Sequence, residues 1–474
     1  MTLSIPFANT YASLPPRFYT RQSANPVAAP RLIAFNHALA EDLGITALPD
    51  SDDALASLFS GNTLPDGADP MAQVYAGHQF GGFNPQLGDG RALLLGDIKT
   101  PSGQQFDIQL KGSGRTPYSR NGDGRAWLGP VLREYVVSEA MHALGIPTTR
   151  ALAAVETGER VQRERALPGA ILTRVAASHI RVGTFQYFAA RGDTDALRAL
   201  FDYTKARHYP QAETPADLLS AVISNQARLV AAWASVGFIH GVMNTDNTTL
   251  SGETIDYGPC AFLDEYHPQT VFSSIDQFGR YAYDNQPKII VWNMAQLATS
   301  LVPLCDDMDK AVTEFTALVH AMPDVITAEW RTRFAAKLGI STPTVDDDTL
   351  INDLLTLMAT DGADFTNTFR ALGTPTARDH FTNRAGFDAW ESRWQSRIAT
   401  EPDPQTLMRA SNPYLIPRNH RVEEMIKAAV AGDYAPFKRL SSALATPFSD
   451  QAEAADLTRP PSPAERVSQT FCGT

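Results

Sequence analysis

Residues 86–134 read QLGDGRALLLGDIKTPSGQQFDIQLKGSGRTPYSRNGDGRAWLGPVLRE. A glycine-rich turn leads into two apolar stretches joined by TPSG, which predicts a β-hairpin. Phe106, Ile108 and Leu110 alternate with Asp107, Gln109 and Lys111, so Lys111 falls on the polar, ligand-side face of its strand. A helix over Pro130–Leu144 follows. Pro130 suits its first position, Gly145 and Pro147 suit its end, and Leu132, Val136, Ala140 and Ala143 make its buried stripe. Glu134 lies in the first turns and can reach back to Lys111. Glu139, five residues on, faces elsewhere.

A glycine loop, a strand lysine and a helix glutamate, in that order, are how a kinase-type nucleotide site is assembled. Lys111 comes 23 residues after Gly88, a separation that suits such a loop and its lysine. Gly88 and Gly90 allow backbone N–H groups to approach phosphate oxygens with no Cβ in the way. Neither a Walker A pattern nor a complete G-x-G-x-x-G occurs, so P-loop and Rossmann readings fail. From Lys111 to Arg133 there are five basic residues and one acid, Asp123. In a chain of net charge -12 this is a local positive island, fit for an anion such as a nucleoside triphosphate.

The second half of the pattern lies near residue 240, in HGVMNTDN and TTLSGETIDYG. Asn247 follows His240 by seven residues, as in the H-R-D-x-x-x-x-N loop of kinases, and Asp256-Tyr257-Gly258 stands where kinases have D-F-G. Asparagine and aspartate oxygens suit Mg²⁺ bridging phosphates. His240 reads as a packing and hydrogen-bonding residue. Where a kinase has its catalytic Asp this chain has Val242, which accepts no proton. Either Asp246 serves instead or no base is needed in the usual place. Arg174 and Arg181, seven apart, share a helix face or flank a loop, and arginines of this kind hold phosphate.

The rest of the chain supports a two-lobe, α+β, protein-kinase-like architecture. Its 474 residues allow two or three domains. Residues 1–48 read as a wrapping extension, and 49–70, acidic and rich in breakers, as a loop or linker. The expected division is 1–70 as extension and linker, 71–185 as a β-rich lobe and 186–400 as an α-rich lobe. Residues 401–474 would add helices and a mobile tail. Helical periodicity marks 218–234, 292–304, 310–321, 351–359, 421–431 and 434–444.

The acidic balance argues against nucleic acid or an anionic membrane as partner. No apolar run reaches transmembrane length. The N-terminus lacks a basic head and apolar core, and Cys260, Cys305 and Cys472 are too few for a disulfide framework. A reducing cytoplasm and a monomer are the expectations.

Five blocks carry a family resemblance: YAGHQFGGFNPQLGDGRALLLGD (75–97), DIQLKGSGRTPYSRNGDGRAWLGPVLREY (107–135), HGVMNTDNTTLSGETIDYGP (240–259), YAYDNQPKIIVWN (281–293) and PRNHRVEE (417–424). Together they resemble the SelO/YdiU family of kinase-fold protein adenylyltransferases. The resemblance implies ATP bound upside down relative to kinases, and AMP transferred to Ser, Thr or Tyr hydroxyls of proteins. It implies that Gly88, Gly90 and Arg91 form the nucleotide loop, and that Lys111 contacts phosphate and pairs with Glu134. Asp123 and Gly124 would touch the nucleotide. Arg174 and Arg181 would hold phosphates, Asn247 and Asp256 would bind Mg²⁺ or Mn²⁺, and Asp246 would accept the proton. UMP transfer from UTP with Mn²⁺, γ-phosphate transfer, and a non-catalytic nucleotide-binding scaffold are the alternatives. Family members often end in a cysteine-containing tail that pairs with a cysteine shortly after the D-x-G segment. Here HPQTVFSSID offers no partner for Cys472, and Cys260 reads as core packing.

Overall fold

The computed structural model describes residues 5–471. Its centre is an antiparallel sheet in the strand order Tyr19–Arg21, Met71–Gln73, Ala92–Lys99, Gln105–Lys111, Ala166–Ala176, Arg150–Gln162, Arg31–Phe35. A short strand, Ala126–Trp127, pairs beside the path with Ala166–Ala176. Lys111 sits opposite Ala92 on one side and Leu172 on the other, and Gln109 sits opposite Arg174. After Val182 the chain is mainly helical, with two further short strands, Phe238–Ile239 and Ala261–Phe262. The molecule is therefore a mixed α and β fold. None of its described helices is long and apolar enough to cross a membrane.

The sheet buries both faces, for different reasons. Ile108, Leu110, Leu93 and Leu95 pack against Leu39, Leu55, Leu58 and Phe59, which the first sixty residues supply. The other face of the central strand is polar yet also buried at Asp107, Gln109 and Lys111. Burial of three such groups is tolerable only with partners. Asp107 takes hydrogen bonds from Arg207 (2.6 Å) and from the His179 backbone N–H (2.9 Å). Gln109 and Lys111 enter the site described below.

The N-terminal segment does more than wrap. Tyr19–Arg21 and Arg31–Phe35 are the two edge strands of the sheet. The stretch expected as a linker contains a helix, Asp52–Phe59, whose N-cap Ser51 accepts the Ala54 N–H. Ser51 followed by Asp52 and Asp53 is a helix-start signal that the surrounding breakers obscured. The helix expected from Pro130 begins at Leu128, with Pro130 in its third position. Its stripe is buried at Leu132, Val136 and Ala140, while Ala143 is half-buried.

The C-terminal helices Asn419–Val430 and Ala435–Leu444 fold back onto this Leu128–Ala143 helix, with the Tyr135 and Phe437 rings 5.5 Å apart. The described part of the chain's last segment packs at Thr470 rather than trailing free. Thr470 is buried, donates its N–H to Phe272 O at 2.7 Å and accepts the Ser274 N–H at 2.9 Å. Cys472 lies outside the described residues. Cys260 is buried with its thiol against Tyr257 O, in the packing role expected.

Candidate nucleotide site

Lys111, at the end of its strand, donates to Glu134 at 2.6 Å and is also paired with Asp256. Strand and helix thus meet as the spacing predicted. Glu139 faces away, binding Arg150 at 2.7 Å and the Ala151 N–H at 2.9 Å. Arg174 is 2% exposed and reaches the same centre, at 3.2 Å from Glu134 and 3.4 Å from Asp256. Its other amino group donates to Gln109 at 2.8 Å. Arg174 stands on the strand Ala166–Ala176 and Arg181 just before the helix Val182–Ala189, so they flank a loop and share no helix face.

Asp256 has φ +66°, a left-handed conformation that non-glycine residues adopt rarely and that clusters at functional sites. Burial alone would raise its pKa. Lys111, Arg174, Arg181 and Arg91 outweigh burial and hold the carboxyl well below the usual range, so it stays ionised. Arg181 is buried with its guanidinium over the Tyr75 ring at 4.3 Å and 3.9 Å from Asp89. Burial would loosen its proton, but Tyr75, Asp89, Asp256 and Asp246 raise its pKa.

Asp246 lies in the loop after His240. Burial pushes its carboxyl up to about 6, with Gln79 and Arg181 pulling the other way. Gln79 donates to one oxygen at 3.1 Å. The other oxygen is buried and has no hydrogen-bond partner among the described residues. Asn247 donates its amide N–H to Val242 O at 3.0 Å, which leaves its amide oxygen for another partner. Val242 itself is buried. His240 is buried against Trp233, with one ring nitrogen 2.8 Å from Ile255 O, the packing role expected of it.

The glycine turn borders a cavity of about 540 Å³, whose lining includes Gly88, Gly90, Arg91, Asp123, Gly124 and Asp256. Arg120, Arg125 and Arg163 also line it. Two N–H groups of the turn are already committed, Asp89 to Gln73 O (2.9 Å) and Gly90 to Gly88 O (2.7 Å). The glycines are required here by the 116–119 loop: a Cβ on Gly88 would sit 2.6 Å from the Tyr118 ring, and one on Gly90 2.9 Å from Tyr118 O. Asp123 lies at the rim, bound by Arg163 at 2.8 Å, a hydrogen bond that lowers its pKa. Gly124 has φ +69° and packs against Gly114, whose carbonyl would be 2.1 Å from an added Cβ.

Several site residues carry no local signal. Asp89, between the two quoted glycines, accepts the Gln73 N–H at 3.1 Å and Gln109 at 3.2 Å, and burial pushes it up to about 6. Gln109 was legible, two positions before Lys111 on the same strand face. Gln79 belongs to a hairpin that only the tertiary structure brings over Asp246, and Tyr75 lies just before that hairpin.

Cations gathered around an ionised carboxylate at the wall of a basic cavity suit a phosphate-bearing ligand, which sets this molecule among the nucleotide-handling proteins. Residues 1–445 match the family model described as protein adenylyltransferase SelO. The chain is 62% identical to a protein of Ruegeria pomeroyi and 64% identical to one of Ruegeria sp., each over the full length of both chains. It is 56% identical, again over both full lengths, to one of Bradyrhizobium diazoefficiens. All three relatives bear the name protein nucleotidyltransferase YdiU. The chain belongs to the SelO/YdiU family and is an enzyme, a nucleotidyltransferase. That activity implies a nucleotide substrate and a divalent metal ion.

The donors present fit such an ion. Asp256 is held ionised, and the Asn247 amide oxygen is free of the hydrogen bond its nitrogen makes. Both are hard oxygen ligands. Among the described residues no group of three His, Cys, Asp or Glu side chains could hold a metal.

Proposed function

We propose that this chain is a cytoplasmic protein adenylyltransferase with a kinase-like two-lobe arrangement, the sheet of the first 176 residues forming one lobe and the helices after it the other. It binds ATP inverted relative to kinases and moves AMP to Ser, Thr or Tyr hydroxyls of proteins. The observation that carries this reading is the pairing of a buried valine at 242 with a buried, half-partnered carboxylate at Asp246. The base stands in a different place from that of a phosphate-transferring kinase.

In this reading Asp256 and Asn247 would hold Mg²⁺ or Mn²⁺, which would neutralise phosphate charge. Lys111, held by Glu134, contacts a phosphate. Arg174 and Arg181 bind the buried phosphates, where their low exposure strengthens each ion contact. Arg91, Gly88, Gly90, Asp123 and Gly124 border the remainder of the nucleotide. The acceptor hydroxyl oxygen attacks the α-phosphorus, its proton passes to Asp246, and the bond to pyrophosphate breaks.

The test is incubation with a divalent metal and ATP labelled at either the α- or the γ-phosphate. Label from the α position alone is expected on protein, reduced by more than about 10³-fold in Asp256→Ala. Label from the γ position alone would overturn the reading. ATP-induced stabilisation with no transfer of either label would mean a scaffold.

A further inference from the structure

The residues that cover Asp246 form a surface whose use the nucleotide chemistry leaves unexplained. Gly77–Gln79 and Gly82–Asn84 make a two-stranded hairpin with Phe80-Gly81 at its tip. Three consecutive hairpin residues dock on three consecutive residues of the Asp246 loop. The His78 N–H donates to Thr245 at 2.7 Å, the Gln79 side chain to Asp246 at 3.1 Å, and the Phe80 N–H to Asn244 at 3.1 Å. A Cβ on Gly77 would stand 2.7 Å from the unpartnered Asp246 oxygen, so the hairpin lies directly on the carboxylate.

The tip is strained and apolar. Phe80 has φ +51° and Gly81 φ +86°. A turn with both central residues left-handed favours Asn or Gly at the first, so a phenylalanine there costs stability. Phe80 and Phe83 are 39% and 42% exposed. Beside the tip runs the loop 274–280, tied by Asp276 to the N–H groups of Arg280 (2.9 Å) and Tyr281 (2.8 Å). It carries Ile275, 49% exposed, and Phe278, 97% exposed. Arg280 lies against Gly81 and over the Trp292 ring at 5.0 Å, and its Nε is buried with no hydrogen-bond partner among the described residues. The two segments are joined through Tyr281, whose ring is 5.2 Å from that of Phe80 and whose hydroxyl donates to Asn244 at 2.6 Å.

Exposed aromatics around an under-partnered cation are what an interface offers before its partner arrives. The hairpin covers Asp246, so it stands beside any hydroxyl delivered there. We propose that Phe80, Phe83, Phe278 and Arg280 form the docking platform for the acceptor protein, and that it selects a hydroxyl flanked by a large apolar side chain and an acidic one. Phe278 takes the apolar side chain and Arg280 the acid. The inference rests on Asp246 as the proton acceptor for protein hydroxyls.

The experiment uses two fluorescein-labelled peptides with one serine, one flanked by Phe and Asp, the other by Gly at both positions. Binding to the full chain is read by anisotropy, with α-labelled ATP transfer measured on the same samples. The Phe/Asp peptide is expected to bind about tenfold tighter or more, and Phe278→Ser to abolish that preference. Phe278 is almost wholly exposed, so its replacement leaves the fold intact. Equal binding of the two peptides, or an undiminished preference in Phe278→Ser, overturns the platform. A tenfold preference with no α-label on either peptide upholds the platform and overturns the transfer chemistry proposed for Asp246.

Discussion

Asp246 and Asp256 show how burial and charge set two neighbouring carboxylates to different tasks. Asp256 is ionised because Lys111, Arg174, Arg181 and Arg91 overcome its burial, whereas at Asp246 burial outweighs Gln79 and Arg181 and raises the carboxyl to about 6. A general base works only when ionised. Transfer rates are therefore expected to fall about tenfold per pH unit below about 6 and to level off above it. Asp246→Asn should lower the rate by about 10²–10⁴-fold and erase this acid limb. Asp89 is also raised to about 6, so Asp89→Asn is the control: a limb that persists in Asp89→Asn and vanishes in Asp246→Asn assigns it to Asp246. A pH profile of α-label transfer for the three proteins decides the matter.

At the scale of the element, the helix Leu128–Ala143 carries two glutamates with separate work. Glu134 binds Lys111 and Arg174 in the site, and Glu139 binds Arg150, Asn36 and the Ala151 N–H, fastening the helix to the sheet. Glu134→Gln should cut α-label transfer by about 10²-fold or more, since Lys111 loses the partner that positions it. Glu139→Gln should instead cost about 1–3 kcal/mol in denaturant unfolding with transfer per folded molecule retained. The reverse pattern would mean that the two roles are exchanged. This assignment was legible from spacing, because a strand lysine and the first turns of the next helix can meet and a position five residues on points elsewhere. The short helix at Asp52–Phe59 was hidden by its neighbouring breakers, although its cap was in plain view at Ser51.

Across the whole molecule, distant segments are locked against the site. The terminal segment holds Thr470 between Phe272 and Ser274, with its hydroxyl donating to Pro259 at 2.5 Å, and Arg466 paired with Glu265. Those contacts clamp the stretch that follows Asp256-Tyr257-Gly258. Deletion from Arg459 onward should lower Tm by a few degrees and open residues 259–274 to limited proteolysis. An unchanged cleavage pattern would show that the stretch holds itself. The N-terminal strands and the C-terminal helices, which looked like additions to a core, close the sheet at its edges and cover its main helix.

The local order of residues determined the hairpin, the strand face that bears Lys111, the helix that bears Glu134 and the loop of Asp246 to Asp256, because side-chain period, turn chemistry and short spacings act within one or two elements. Tertiary structure alone decided which groups meet across long separations: Arg174 with Gln109 across two strands, Arg181 with Tyr75 and Asp89, and the Gly77–Asn84 hairpin over Asp246. It also decided the charge state of each carboxylate. Desolvation and the fields of neighbouring cations depend on distance in space, and no reading along the chain supplies that distance.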